Sequence, residues 1–255
     1  MQFLLTAPGI YNTRLAKALG NKGFATIAFP AIETIIATDI NAASHFGQLE
    51  KFDYIILPSR NAIISFVEYA GKYDISHCLL QKMKYITIGK DSLLLEKYGL
   101  KNALEASEPS TKGIYKAIKN TGKANLNFLL IAPKVDIIPE PDIIPNLIKD
   151  LSTIGKVTRI NGYITRPTQN PDIAILDKLK NNEINNIIFT SGGEIEALLY
   201  LCNDKSCLEN KKLICFGPYT ASTLKKHKLI PYYTGKNFSS FDAFAQELKK
   251  FFLKK

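Results

Sequence analysis

The chain has 255 residues, 46% of them apolar, and a formal charge of +10; its length suits two medium domains and its apolar share a well-packed globular protein. No stretch approaches the roughly 18 uncharged apolar residues of a membrane span, and no basic region precedes the apolar start at Phe3, so neither a membrane partner nor a secretory signal is expected. The positive charge favours anionic partners, but only four of the 33 basic residues are arginines (Arg14, Arg60, Arg159, Arg166) and no basic helix is interleaved with aromatics, so no nucleic-acid partner is expected.

Phe3 to Thr6 reads as a buried strand and Pro8-Gly9 as a loop. A helix from about Asn12 buries Leu15, Ala16 and Leu19 and stops near Gly20 to Gly23. Phe24 to Phe29 is the next strand, and Ala37 to Ala42 a linker. Ile55-Ile56-Leu57-Pro58-Ser59 is a strand ending in a tight turn, and the helix after it carries Ile63, Phe66, Val67 and Ala70 at i, i+3, i+4, i+7. Tyr85-Ile86-Thr87-Ile88-Gly89 is a strand that Gly89-Lys90-Asp91-Ser92 turns into a helix. Ser110-Thr111 caps a further helix.

From Phe128 the pattern runs again. Phe128-Leu129-Leu130-Ile131-Ala132-Pro133 repeats Phe3-Leu4-Leu5-Thr6-Ala7-Pro8 at an offset of 125. Ile187-Ile188-Phe189-Thr190-Ser191 repeats the Ile55 strand at an offset of 132, and Leu213-Ile214-Cys215-Phe216-Gly217 repeats the Tyr85 strand at 128. Between them lie a helix striped by Ile144, Leu147, Ile148 and Leu151, ending before Gly155, and a second linker from Thr165 to Pro171. Ile195, Leu198, Leu199 and Cys202 copy the Ile63 stripe at the same offset of 132. Gly217-Pro218-Tyr219-Thr220 opens another helix, and Ser239-Ser240 caps the last. Such alternation predicts a duplicated α/β unit with parallel sheets flanked by helices.

In parallel sheets the loops at the carboxyl ends of the strands hold the ligand. Here they are Thr6 to Gly9, Pro58 to Asn61, Gly89 to Ser92, Ala132 to Val135, Thr190 to Gly193 and Gly217 to Thr220. Most run straight into a helix and offer free N–H groups at a positive dipole end, which suits carboxylates or phosphates. Gly192, Gly193 and Gly217 leave the backbone open to close approach. Singly, each is a routine helix start; six of them arranged twice over predict an anion-binding cleft between two lobes. Conventional catalytic equipment is missing: there is no GxSxG, P-loop or GxGxxG, and His45, His77 and His227 are scattered outside any metal signature. The four cysteines show neither disulfide-framework spacing nor CxxC, and Cys202 and Cys215 read as small hydrophobes. A chemical step would rest on a hydroxyl, a lysine or substrate positioning.

Essentially the whole chain resembles the uroporphyrinogen-III synthase family. The resemblance is carried by the N-terminal strand and loop, Ile56-Leu57-Pro58-Ser59-Arg60-Asn61-Ala62, Tyr163 on the strand leaving the Gly155 turn, Phe189-Thr190-Ser191, and Gly217-Pro218-Tyr219-Thr220-Ala221. It implies two similar lobes, residues 1–36 plus 171–255 and residues 43–164, joined by linking segments 37–42 and 165–170. It further implies a cytoplasmic, monomeric lyase without cofactor or metal. Such an enzyme cyclises hydroxymethylbilane, a linear tetrapyrrole with eight carboxylates, with inversion of ring D and loss of water in heme biosynthesis. Tyr163 matches the family's tyrosine and would be the proton donor to the departing hydroxyl, or its hydrogen-bond partner. Thr220, Ser191, Gly192, Gly193, Gly217, Ser59, Asn61, Lys90 and Lys134 would contact substrate. The chain departs from the family at Thr6-Ala7-Pro8, where T-R-P is usual, and at Ala132-Pro133-Lys134, where R-G is common. These departures keep open a synthase-like binding protein without activity.

Overall fold

The computed structural model describes residues 1–37, 39–104, 106, 108, 110–237 and 240–253, the side chain of Lys90 apart. In chain order the elements are β1 (Gln2–Leu5), α1 (Gly9–Gly20), β2 (Ala25–Ala28), β3 (Ile32–Ile36), α2 (Ala42–Phe46), β4 (Tyr54–Leu57), α3 (Arg60–Lys72), α4 (His77–Lys82), β5 (Tyr85–Thr87), α5 (Ser92–Lys97) and α6 (Thr111–Lys119). Then come β6 (Leu126–Val135), α7 (Ile143–Leu151), β7 (Gly155–Pro167), α8 (Ile173–Lys180), β8 (Asn186–Phe189), α9 (Gly192–Cys202), β9 (Lys212–Cys215), α10 (Pro218–Lys226), β10 (Tyr233–Thr234) and α11 (Phe241–Leu253). The fold is α/β, with two five-stranded sheets flanked by helices.

Two compact units divide the chain: Met1–Thr34, Val135–Glu140 and Thr165–Lys255 form one, Ile35–Lys134 and Pro141–Ile164 the other. The divisions therefore fall within β3, β6 and β7 and at Glu140. Residues 37 and 39–42 belong to the second unit and residues 165–170 to the first.

Four strands of each sheet repeat in order, β9-β8-β1-β2 against β5-β4-β6-β7, with β10 and β3 added at opposite edges, and the matched strands keep register. One runs β10-β9-β8-β1-β2 and the other, read from its far edge, β5-β4-β6-β7-β3. Leu4 pairs with Ile187 across β1 and β8, and Leu129 pairs with Ile55 across β6 and β4. Those pairs are related by the offsets of 125 and 132 found in the sequence. Ile187 with Leu213 and Ile55 with Tyr85 repeat the match at the next strand, and all these pairings are parallel. Strand β3 departs from the parallel pattern. Ala37 donates to the Gly162 carbonyl while Thr168 donates to that of Ala31, so β3 runs antiparallel to β7.

Side chains alternate across each sheet, and both faces are covered, which is why these strands read as continuous apolar runs. Leu4, Ile187, Phe189, Leu213 and Cys215 face α9 and α10, while Phe3, Leu5, Ile188 and Ile214 face α1 and α11. In the second unit Ile55, Leu57, Leu129 and Ile131 lie under α3, and Tyr54, Ile56, Phe128 and Leu130 under α6 and α7. The copied stripes are core: Ile63, Phe66, Ile195 and Leu198 are fully buried, with Val67 and Leu199 at the margin.

Three local expectations change. Helix α1 begins at Gly9, ahead of Asn12, because the buried Asn12 amide donates to the Leu5 and Ala7 carbonyls and ties the helix to the strand end; its buried small residue is Ala18, with Ala16 half-buried. Strand β6 continues through Ala132, Pro133 and Lys134 to Val135, so no helix-opening loop exists there. The cause is its neighbour: the Asp136 N–H donates to the Thr165 carbonyl of the thirteen-residue β7, and the Arg159 guanidinium donates to the Pro133 carbonyl. The last cap is Ser240, whose Oγ accepts from the Ala243 N–H; Ser239 lies outside the described residues.

Candidate functional site

Each unit gathers its own group of the expected residues. In the second unit, Ser59 follows β4 and caps α3: its Oγ accepts from the Ala62 N–H at 3.1 Å. The same Oγ lies 2.9 Å from the Tyr163 hydroxyl, across 104 residues of sequence. Tyr163 stands on β7 with 6% of its surface exposed. Its position depends on its neighbour Gly162, where a Cβ would come within 2.4 Å of Ile131 Cγ2 and 3.0 Å of Ser65 Cβ. The missing side chain lets α3 settle onto the strand and brings Ser59 to the tyrosine.

Asn61, half-buried, opens the first turn of α3 beside Arg60. Arg60 reaches Asp91 at 3.9 Å and joins the Ser59 loop to the turn Gly89–Asp91. Burial raises the Asp91 carboxyl pKa, and the Arg60 charge opposes that shift. Lys90 lies on this turn, its side chain outside what the structure describes. Lys134 is exposed on β6.

In the first unit, Ser191 caps α9, Thr220 lies in the first turn of α10, and Gly217 is the residue before it. Ser191, with Thr6 and Thr190, converges on a residue the motif reading did not single out. Glu194, 1% exposed, receives Thr6 Oγ1 (2.7 Å) and the Thr190 N–H (2.9 Å) on Oε2, and the Thr190 and Ser191 hydroxyls on Oε1. The carboxylate thus binds the ends of β1 and β8 to the N-terminus of α9. Burial raises its pKa against the pull of these hydrogen bonds. A signal was present in the sequence: Ser191-Gly192-Gly193-Glu194 is the S-x-x-E capping-box pattern.

Thr220 is 5% exposed and donates to the Thr190 carbonyl at 3.2 Å. A Cβ on Gly192 would come within 2.3 Å of Thr223 Oγ1, and one on Gly193 within 3.1 Å of Ile32 Cδ1. Both glycines are therefore close-packing positions. Gly217 has extended backbone, φ −158°. No side chain caps α10 or α1, and Tyr219 and Ile10 in their first turns are 71% and 73% exposed. Uncapped helix starts of this kind suit a carboxylate.

Each of the four arginines is engaged within the fold. Arg14 lies 5.6 Å over the Phe241 ring, Arg60 meets Asp91, Arg159 holds Pro133, and Arg166 pairs with Glu33 at 2.7 Å. Ala7, in place of the usual loop arginine, is fully buried. Among the described residues no helix is long and apolar enough to cross a membrane, and no three metal-ligating side chains converge.

A family model described as uroporphyrinogen-III synthase HemD matches residues 13–245. A porphyrin biosynthesis protein HemD from Ruminiclostridium josui is 23% identical over 230 residues, covering 89% of this chain and 44% of that protein. The chain thus spans under half the length of this curated relative. A mutant uroporphyrinogen III synthase from the extremely thermophilic bacterium Thermus thermophilus superposes with a TM-score of 0.67 at 16% identity over the whole of both chains. The uroporphyrinogen-III synthetase of Helicobacter pylori superposes at 0.60, also with 16% identity, over 98% of this chain and all of that one.

Proposed function

Because this chain belongs to the uroporphyrinogen-III synthase family, we propose that it closes hydroxymethylbilane with inversion of ring D and loss of water, acting as a cytoplasmic monomer. The observation that carries the reading is the Tyr163 hydroxyl held 2.9 Å from Ser59 Oγ, two residues of the family pattern far apart in sequence. Ser59 already accepts from the Ala62 N–H. Its own proton can therefore go to the Tyr163 oxygen, which aligns the phenol as a donor and steadies the phenolate left after transfer.

In this mechanism Tyr163 protonates the departing hydroxyl, and water leaves. The substituted carbon of ring D attacks the resulting cation to give a spiro intermediate; its older bond to the chain then breaks, the free α-carbon of ring D forms that bond instead, and the proton this carbon loses restores the Tyr163 phenol. The substrate cyclises unaided to the type I isomer, so the protein's task is to hold one conformation while assisting departure. In the first unit the exposed starts of α1 and α10 and the backbone at Gly192, Gly193 and Gly217 support carboxylate binding; in the second unit Lys90, Lys134 and Asn61 do. Ser191 and Thr220 shape the loops of the first unit, since their hydroxyls are bonded within the fold.

Incubation with hydroxymethylbilane, followed by oxidation and chromatographic separation of the isomers, tests the proposal. Type III product is expected, and type I alone would refute it. Tyr163→Phe should lower turnover roughly 10- to 100-fold with the circular dichroism spectrum unchanged. Unchanged turnover would remove Tyr163 from the mechanism. The engaged arginines and buried Ala7 favour a second reading, a tetrapyrrole-binding protein without activity. Binding without isomer control would select it.

A further inference from the structure

The C-terminal end of α9 carries two of the four thiols. Cys202 is the last residue of the helix, Asn203 follows with left-handed backbone (φ 57°), and Cys207 sits on the 3-10 turn Lys205–Leu208. The two cysteines are 3% and 5% exposed and belong to one apolar cluster. Both residues line a cavity of about 360 Å³ whose other walls, Lys180, Asn182, Asp204 and Ser206, are exposed, so the buried cysteines border a solvent-connected space.

The charges around this space are unbalanced. Lys211 is 8% exposed, donates from Nζ to Asn182 Oδ1 at 2.6 Å, and meets no carboxylate at ion-pair distance among the described residues. A buried ammonium facing only neutral acceptors is unfavourable; burial lowers the Lys211 pKa, and the two neighbouring thiols oppose that shift. A thiolate at Cys202 supplies the missing negative charge. Cys207 beside it and the charges of Lys180 and Lys211 hold the Cys202 thiol below its usual range against burial and the Asp204 carboxylate, while Cys207 is pushed up. Lys180, on the wall of the same cavity, favours a thiolate at Cys202.

We propose that Cys202 and Cys207 form an oxidisable dithiol, a modification site for small hydroperoxides, with Cys202 attacking and Cys207 resolving. The Cys202 thiolate attacks one peroxide oxygen and the O–O bond breaks. The distal oxygen leaves as hydroxide, takes up a proton and becomes water, and Cys202 is left as a sulfenic acid. Cys207 sulfur then attacks Cys202 sulfur; the S–S bond forms, the S–O bond breaks, and the hydroxyl leaves with the Cys207 proton as a second water. The dithiol loses two electrons and two protons, and the peroxide is reduced. The disulfide requires the two sulfurs to close to about 2.05 Å. The disulfide joins the end of α9 to the turn beyond it.

The test is exposure of the full chain to excess hydrogen peroxide, then alkylation in denaturant, intact mass and peptide mapping. Exposed Cys78 is the internal reference. The proposal expects loss of two thiols and of roughly 2 Da, a Cys202–Cys207 cross-linked peptide, and full reversal by dithiothreitol. Cys207→Ser should stop at a dimedone-reactive Cys202, and Cys202→Ser should leave Cys207 reduced. Lys180→Gln, at an exposed position, should slow Cys202 oxidation about threefold by lowering its thiolate fraction. The proposal is overturned if Cys202 and Cys207 both remain reduced when Cys78 has fully reacted, or if Cys207 oxidises as fast without Cys202. The wild-type map decides the question even where a variant fails to fold.

Discussion

Glu194 shows how one carboxyl can organise a loop that reads in sequence as a run of small polar residues. Thr6 has one hydroxyl proton and two acceptors in reach, Glu194 Oε2 at 2.7 Å and the Ile188 carbonyl at 3.0 Å. A protonated Glu194 donates to Thr6, which then donates to Ile188, so the neutral acid satisfies every partner on that side. Burial raises the pKa of this carboxyl in the fold. Its favourable contribution is therefore complete below the ordinary value of about 4.5 and lost as pH rises through the folded value. Chemical denaturation from pH 4.5 upwards should show wild-type stability falling relative to Glu194→Gln. The glutamine keeps an oxygen for Thr190 N–H and turns its amide to the two hydroxyls, so the pH dependence should vanish at little cost. Glu194→Ala orphans these donors and should cost about 2–4 kcal/mol. Equal pH profiles for wild type and Glu194→Gln would show that this carboxyl does not titrate as described.

At the scale of elements, the contact between α9 and α10 rests on Gly192, because Thr223 occupies the space a Cβ would need. Gly192→Ala should lower stability by about 1–3 kcal/mol, and Thr223→Ala should recover part of the loss, since the atom at 2.3 Å is the threonine hydroxyl. A double-mutant cycle measures the recovery; strict additivity would mean the two helices do not meet there. The paired helices α3 and α9 were legible from their stripes, and both carry a serine cap on the N–H three residues on. Strand β6 was not legible in the same way. Ala132-Pro133-Lys134 copies a loop sequence, yet it stays extended because β7 runs beside it. Hydrogen bonds from a distant strand decide such a segment, and local composition carries no trace of them.

Across the whole molecule, duplication preserved register as well as order. The pairs Leu4–Ile187 and Leu129–Ile55 occupy equivalent places although β8 follows β1 by most of the chain and β6 follows β4 by less than half as much. Core positions conform to this frame, while the polar groups at the strand ends have diverged: Ala62 stands where Glu194 stands in the other copy. The net charge of +10 also belongs to this scale. If lysines draw in a polycarboxylate, raising ionic strength tenfold should increase KM several-fold and leave kcat nearly unchanged. A KM independent of salt would assign carboxylate binding to backbone N–H groups instead.

The sequence by itself determined the alternation of strands and helices, the duplication, the core faces and the serine-capped helix starts. Each follows from periodicity and from hydrogen bonds spanning a few residues. Only the tertiary structure decided which hydroxyls are bonded within the fold, that Glu194 anchors Thr6, Thr190 and Ser191, and that Ser59 meets Tyr163. These partners lie up to 188 residues apart. A buried polar atom takes whichever partner the packed neighbours leave within reach, and spacing along the chain does not encode that choice.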